Sequence, residues 1–265
     1  MSWLSPGADG LIDPHQVREA LRPDTALVSI MHVNNEIGVL QDIAAIGACC
    51  REREVPLHVD AAQGAGKVEI DLARWPVDLL SLTAHKLYGP KGIGALYVSP
   101  QRRARLQPLI FGGGHERGLR SGTLAVHQIV GFGVASDICI SERHTEALRI
   151  EALRLRLWQA LGSIDRALLN GHPTRRVAGI LNVSFPGIEG ESLLLGLTEL
   201  ALSTGSACNS ETDEPSYVLR ALGRDTELAQ SSLRFSLGRF STEAEVDRAA
   251  SAVRREVARL RAVAP

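Results

Sequence analysis

The first hundred residues alternate short apolar runs with helix-patterned segments, and few folds accept that order. ALVSIMHV (26–33) reads as a buried strand, DIAAIGACCRER (42–53) as a helix and PLHVD (56–60) as a strand. Further strands are expected at LLSLT (79–83) and GALYVS (94–99). Short strands in alternation with helices predict an α/β fold with a largely parallel sheet, because parallel neighbours need a crossover between them. Ligands of such sheets bind beyond the carboxyl ends of the strands. Asn35, Asp60 and the His85-Lys86 pair directly follow strand-like runs, which places them as candidates for one crevice.

The character of the chain changes near residue 144. Gly112-Gly113-Gly114 and RGLRSGT (117–123) form a polar, glycine-rich connection, followed by the helical pattern LAVHQIVGFGVASDICISER from Leu124. Beyond it come an Arg/Leu/Glu-rich helical stretch (144–161), then ILNVSF, GESLLLGLTEL and SLRFSLG. The last helix carries Val246, Ala250, Val253, Val257 and Leu260 on one stripe, with Thr242 and Glu245 spaced as a capping box at its start. The expectation is a large domain over 1–143 and a smaller α+β C-terminal domain over 144–265. With 45% hydrophobic residues, the 265-residue chain can support both cores.

A formal charge of −1 leaves no electrostatic footprint for a nucleic-acid or anionic-membrane partner. The longest uncharged stretches, such as Ser121 to Ser136, fall short of the roughly 20 apolar residues of a membrane span. MSWLSPGADG lacks the basic-then-apolar pattern of a signal peptide, so the expected location is the cytoplasm. None of the four cysteines lies in a C-x-x-C pair, and no metal site is expected. Cys50 shares helical spacing with Ile43 and Ile46 and reads as core, as does Cys139 in its apolar segment. Cys208 differs. It lies in ALSTGSACNSETDEPS, between small and polar residues, and reads as a thiol on an exposed loop.

Lys86 lies in SLTAHKLYGPKGIGALY, where Gly89, Gly92 and Gly94 permit a tight return of the chain. A lysine at a strand end can form a Schiff base with an aldehyde. Asp60, at the end of another strand, either caps the helix that follows or pairs with a pyridinium nitrogen. Two unit charges at 4 Å attract by roughly 4 kcal/mol at an effective dielectric of 20, which would keep such a ring an electron sink. Thr83 and His85 offer a hydroxyl and an imidazole suited to phosphate oxygens. Together these residues suggest pyridoxal 5'-phosphate chemistry. Arg234 alternates with apolar residues in SSLRFSLGRF and is either an inward salt-bridged residue or a substrate anchor, since arginine is the natural clamp for a substrate carboxylate.

HVNNEIG, HVDAAQ, SLTAHKLYGPKG, GGGHERGLRSGT, NVSF with EGESLL, and the stretch from ACNS to EPSYVLRALG occur in that order. The set resembles the cysteine desulfurases, fold-type I pyridoxal-phosphate enzymes of the class V aminotransferase group, and is most similar to their housekeeping iron–sulfur-cluster branch. The resemblance implies that Lys86 carries the cofactor and shuttles the substrate Cα proton. Asp60 would hold the pyridinium, Gln63 the phenolic oxygen, and Thr83 and His85 the phosphate. It implies that Thr123 reaches the phosphate of the opposite subunit, hence a homodimer. Asn35 and Arg234 would hold the carboxylate of L-cysteine, and Cys208 would take its sulfur as a persulfide for sulfur-acceptor proteins. Chains of this family carry a further portion ahead of the segment resembling WLSPGADGLID. The expectation is therefore an N-terminally incomplete large domain that holds the cofactor weakly on its own. Glu211, Asp213 and Glu214 make the loop after Cys208 more acidic than is usual in the family, and the expectation is that these carboxylates raise the thiol pKa.

Overall fold

The computed structural model describes residues 1–102, 106–204 and 214–263. Two compact units emerge: one comprises Val17–His32 and Asp42–Arg143, the other Met1–Gln16, Val33–Gln41 and His144–Pro265. The chain-order division at 143–144 thus needs amending, because residues 1–16 and 33–41 pack with the C-terminal unit.

The first unit is built on strands β1 (Val28–Met31), β2 (Leu57–Asp60), β3 (Leu79–Thr83) and β4 (Gly94–Val98), which lie side by side in that order. β1, β2 and β3 run parallel, while β4 returns antiparallel to β3. This is the mostly parallel α/β sheet that the alternating pattern predicts. Between β1 and β2 runs helix α2 (Ile43–Glu52), the other helices being labelled in chain order from α1 (Pro14–Ala20). Asp42 caps α2, its carboxylate accepting the Ala45 N–H at 3.0 Å. One face of the helix buries Ile43, Ile46, Cys49 and Cys50. A Cβ at Gly47 would lie 2.6 Å from Pro76 Cγ, so the glycine lets helix and loop pack closely. Along β2, buried Leu57 and Val59 alternate with the half-buried His58 and Asp60.

Helix α3 runs from Val126 to Leu161, its residues through Arg143 belonging to the first unit. In the second unit, strands β5 (Leu168–Leu169), β6 (Ile180–Ser184) and β7 (Ser232–Ser236) form an antiparallel sheet. Helices α4 (Gly190–Gly196), α5 (Tyr217–Ala221), α6 (Thr226–Gln230) and α7 (Glu243–Val263) complete it. Val246, Val253 and Val257 of α7 join Leu181, Phe185 and Leu233 in the core of this unit. Its start is the predicted capping box: Thr242 N donates to Glu245 Oε2 at 2.9 Å, and Glu245 N to Thr242 Oγ1 at 3.3 Å. Inside, Asn170 Nδ2 donates to Asn182 Oδ1 and Ser184 Oγ, both at 2.7 Å, so these buried polar groups satisfy one another. Among the described residues no helix is long and apolar enough to cross a membrane.

Candidate active site

Five of the sequence-predicted residues gather at one edge of the first unit. Parallel pairing sets the end of β2 beside β3, with Asp60 opposite Ser81. Asp60, Gln63, Thr83, His85 and Lys86 therefore leave the sheet at its carboxyl edge, where ligands of such sheets bind.

Asp60 is half-buried, and its Oδ1 accepts the Ala62 N–H at 2.9 Å. The helix expected after Asp60 is instead a turn over 62–67, and pairing with a pyridinium nitrogen is compatible with that arrangement. One oxygen caps the turn, and among the described residues no hydrogen bond uses the other. The turn continues with Gly64 N and Ala65 N donating to Ala61 O, which carries Gln63 around the corner. Gln63 Oε1 accepts from Lys67 Nζ at 2.8 Å. Behind the turn, His32 is 3% exposed and its N–H donates to Asp60 O at 2.8 Å. Burial lowers the pKa of its imidazole to about 4, so the ring is neutral near pH 7. It packs edge-on against Trp75, with ring centres 5.0 Å apart, and its Nδ1 has no hydrogen-bond partner among the described residues. A Cβ at Gly64 would collide with that nitrogen, which is why this position needs a glycine.

At the end of β3 the chain enters a single 3-10 turn, Ala84–Leu87. Thr83 Oγ1 and His85 Nδ1 lie 2.9 Å apart in a hydrogen bond, so the two groups assigned to a phosphate are already held together. Lys86 is half-buried in the same turn, and the turn ends with Tyr88 in the left-handed region at φ 65°. That conformation is uncommon for a non-glycine residue, and such residues cluster at functional sites. The return strand packs tightly: a Cβ at Gly94 would lie 2.5 Å from Leu82 O. Thr123 is exposed in the 109–125 connection, with no side-chain hydrogen bond to the other described candidates.

Asn35 and Arg234 meet in the second unit. Arg234 sits on β7 between buried Leu233 and Phe235, and its Nη1 donates to the backbone carbonyl of Asn35 at 3.0 Å. No carboxylate pairs with Arg234 among the described residues, and its buried Nε has no partner. The neighbouring Glu36 is fully buried. Its Oε2 accepts from Ser216 Oγ at 2.5 Å, and its Oε1 has no hydrogen-bond partner among the described residues. Burial raises the Glu36 pKa, against the opposing effects of the Ser216 hydrogen bond and the Arg234 charge. Cys208, with Glu211 and Asp213, lies outside the described residues. Cys49, Cys50 and Cys139 are buried, and burial raises the Cys50 thiol pKa to about 11, as befits core thiols.

Sequence reasoning missed His32, Glu36 and Lys67. Glu36 lies inside the quoted HVNNEIG, and Lys67 follows Gln63 by one helical turn, but burial is what distinguishes them.

The donor set fits pyridoxal phosphate. A ring nitrogen calls for a carboxylate, a phenolic oxygen for an N–H, a phosphate for hydroxyl and imidazole, and an aldehyde for an amine. The edge of the first unit supplies each of these, including an Asp60 oxygen not taken up by other residues.

The model of the family described as Aminotransferase class-V matches residues 1–249. Over all 265 residues the chain is 57% identical to "Cysteine desulfurase IscS" of Tolumonas auensis and 58% identical to the protein of that name from Pseudomonas syringae pv. tomato. In both cases it spans 66% of the relative's length. A solved "NifS-like protein" superposes on 98% of this chain and 68% of its own, with a TM-score of 0.87 at 34% identity. The NifS-like protein of Rickettsia africae covers 98% of this chain and 69% of its own, with a TM-score of 0.84 at 30% identity.

Proposed function

The chain belongs to the class-V aminotransferase family, and from that premise we propose that it is built for the reaction of a cysteine desulfurase. L-cysteine would lose its sulfur to leave L-alanine and a persulfide on a protein thiol. The observation that carries the proposal is the shared edge of β2 and β3, with Asp60 and Gln63 leaving one strand and Thr83, His85 and Lys86 the other.

Pyridoxal phosphate bound there supplies an electron sink for the bonds at the substrate α-carbon. The Asp60 carboxylate pairs with the ring nitrogen, and Gln63 Nε2 donates to the phenolic oxygen. Thr83 Oγ1 and the His85 imidazole take phosphate oxygens. Lys86 Nζ anchors the group, then accepts and returns the proton at the substrate Cα. The Arg234 guanidinium and Asn35 hold the substrate carboxylate. Cys208 Sγ forms an S–S bond to the substrate sulfur as the C–S bond breaks. Thr123, exposed and without a side-chain hydrogen bond among the described residues, serves the phosphate of a second copy in a homodimer. The persulfide then passes to acceptor proteins of iron–sulfur assembly or another sulfur-transfer route in the cytoplasm.

The test is a visible absorption spectrum of the chain with pyridoxal phosphate, before and after L-cysteine. A cofactor band that changes with cysteine and is lost in Lys86→Ala is expected. Sulfide release should disappear in Cys208→Ser while the band stays. An equal band in Lys86→Ala would refute the assignment.

One observation favours a second reading, a chain that turns over only when another polypeptide covers it. Val126, Val130 and Val134 form an exposed apolar stripe on α3.

A further inference from the structure

Lys67 is half-buried four residues after Gln63, and its Nζ donates to Gln63 Oε1 at 2.8 Å. No carboxylate pairs with it among the described residues. The charge it faces is another cation, Lys86, with the Cys139 thiol also near. Desolvation and Lys86 together lower its pKa to about 8. Burying a lysine beside a second lysine with no counter-anion is unfavourable, so the arrangement needs a reason beyond packing.

The chemistry of the pair provides one. A carboxamide has a donor end and an acceptor end, and which way it points is decided by its partners. Lysine has donors only while charged. The end of Gln63 that faces Lys67 must therefore be the carbonyl oxygen, and Nε2 is left as the end free to point elsewhere. A glutamine without this partner could turn its carbonyl outward as readily as its amide.

We propose that Lys67 is a positioning residue that locks the Gln63 carboxamide with its N–H₂ group toward the ligand, so that this position recognises an oxygen acceptor on the ring. The inference rests on the proposed pyridoxal-phosphate site and adds a residue to it. Lys67 does not touch the ligand. It acts through Gln63.

The test compares equilibrium binding of pyridoxal phosphate with that of its 3-deoxy analogue, which lacks the phenolic oxygen. The unmodified chain should prefer the phenolic ligand by roughly 10- to 100-fold, the range of one charge-assisted hydrogen bond. In Lys67→Met that preference should fall to within about threefold of unity while affinity for the deoxy analogue is retained, as expected for a single lost hydrogen bond. Lys67→Arg, which keeps a cationic donor, should restore the preference. In a Gln63→Ala background, Lys67→Met should change the preference no further, because both act on one hydrogen bond. Circular dichroism of each variant reports folding. Should Lys67→Met fail to fold, Lys67→Gln takes its place: a neutral amide offers Gln63 either end, so the preference should again fall.

A preference unchanged in the neutral variants would overturn the inference. So would an equal loss of affinity for both ligands, which is the mark of a merely structural lysine. If the unmodified chain binds neither ligand at millimolar concentration, the proposed cofactor site itself fails, and the role of Lys67 fails with it.

Discussion

His32 shows how one residue can carry both a structural and an electrostatic burden beside a site. It is almost fully buried, touches Trp75, and leaves room only for a glycine at position 64. The unfolded chain takes up a proton at this imidazole near pH 6.5, whereas the folded chain takes it up only near 4. The unfolded state thus binds more protons across that window, and the stability present above pH 6.5 is lost as the pH falls through it. At about 1.4 kcal/mol per pH unit, the loss approaches about 3 kcal/mol near pH 4. Denaturant unfolding at pH 7 and pH 5 should show a steeper loss for the parent than for His32→Gln, which cannot titrate. Equal slopes would mean that His32 is protonated within the fold. His58, whose pKa burial also lowers, contributes in the same direction in both chains.

At the scale of elements, the site depends on the hairpin return from β3 to β4 more than on any helix. Thr83 pairs with Gly94 across that ladder, and Ala84 N donates to Ile93 O at 3.1 Å, which pins the start of the turn that carries Lys86. In Gly94→Ala a methyl group would press on Leu82 O, and overpacking of this kind costs about 1–3 kcal/mol. The strand must shift, so cofactor affinity should fall along with the thermal midpoint. Thr242→Ala makes the contrast. It removes a helix cap worth about 1 kcal/mol in the second unit, and it should lower stability while leaving cofactor binding unchanged. Calorimetry and cofactor titration on the two variants separate these outcomes, and equal cofactor loss in both would show that the turn is not pinned by its hairpin.

For the molecule as a whole, the exposed apolar surface of the first unit is the distinguishing feature. Val126, Val130 and Val134 are 64%, 59% and 54% exposed at i, i+4 spacing, and Leu109 and Phe111 are 95% and 80% exposed. Exposed apolar side chains grouped in this way mark interaction sites. Under the proposed homodimer, Val130→Lys with Val134→Gln should shift sedimentation from dimer toward monomer while leaving circular dichroism unchanged. An unaltered dimer would place the interface elsewhere.

The sequence alone determined the order of strands and helices, the residues that leave the strand ends, and the capping box of α7. Each of these follows from local periodicity or from spacing within one turn. Asp60, Thr83, His85 and Lys86 were legible for that reason, since a residue just past a parallel strand has only one edge of the sheet to occupy. The membership of residues 33–41 in the second unit was decided only by tertiary structure. Val33 pairs with Leu40 and Val39 with Arg176, and the second pairing joins residues more than a hundred positions apart. The neutral burial of His32, the enclosed Glu36 carboxyl and the contact that orients Gln63 belong to the same class. Desolvation depends on what the folded chain lays over a group, and one-dimensional spacing carries no record of that.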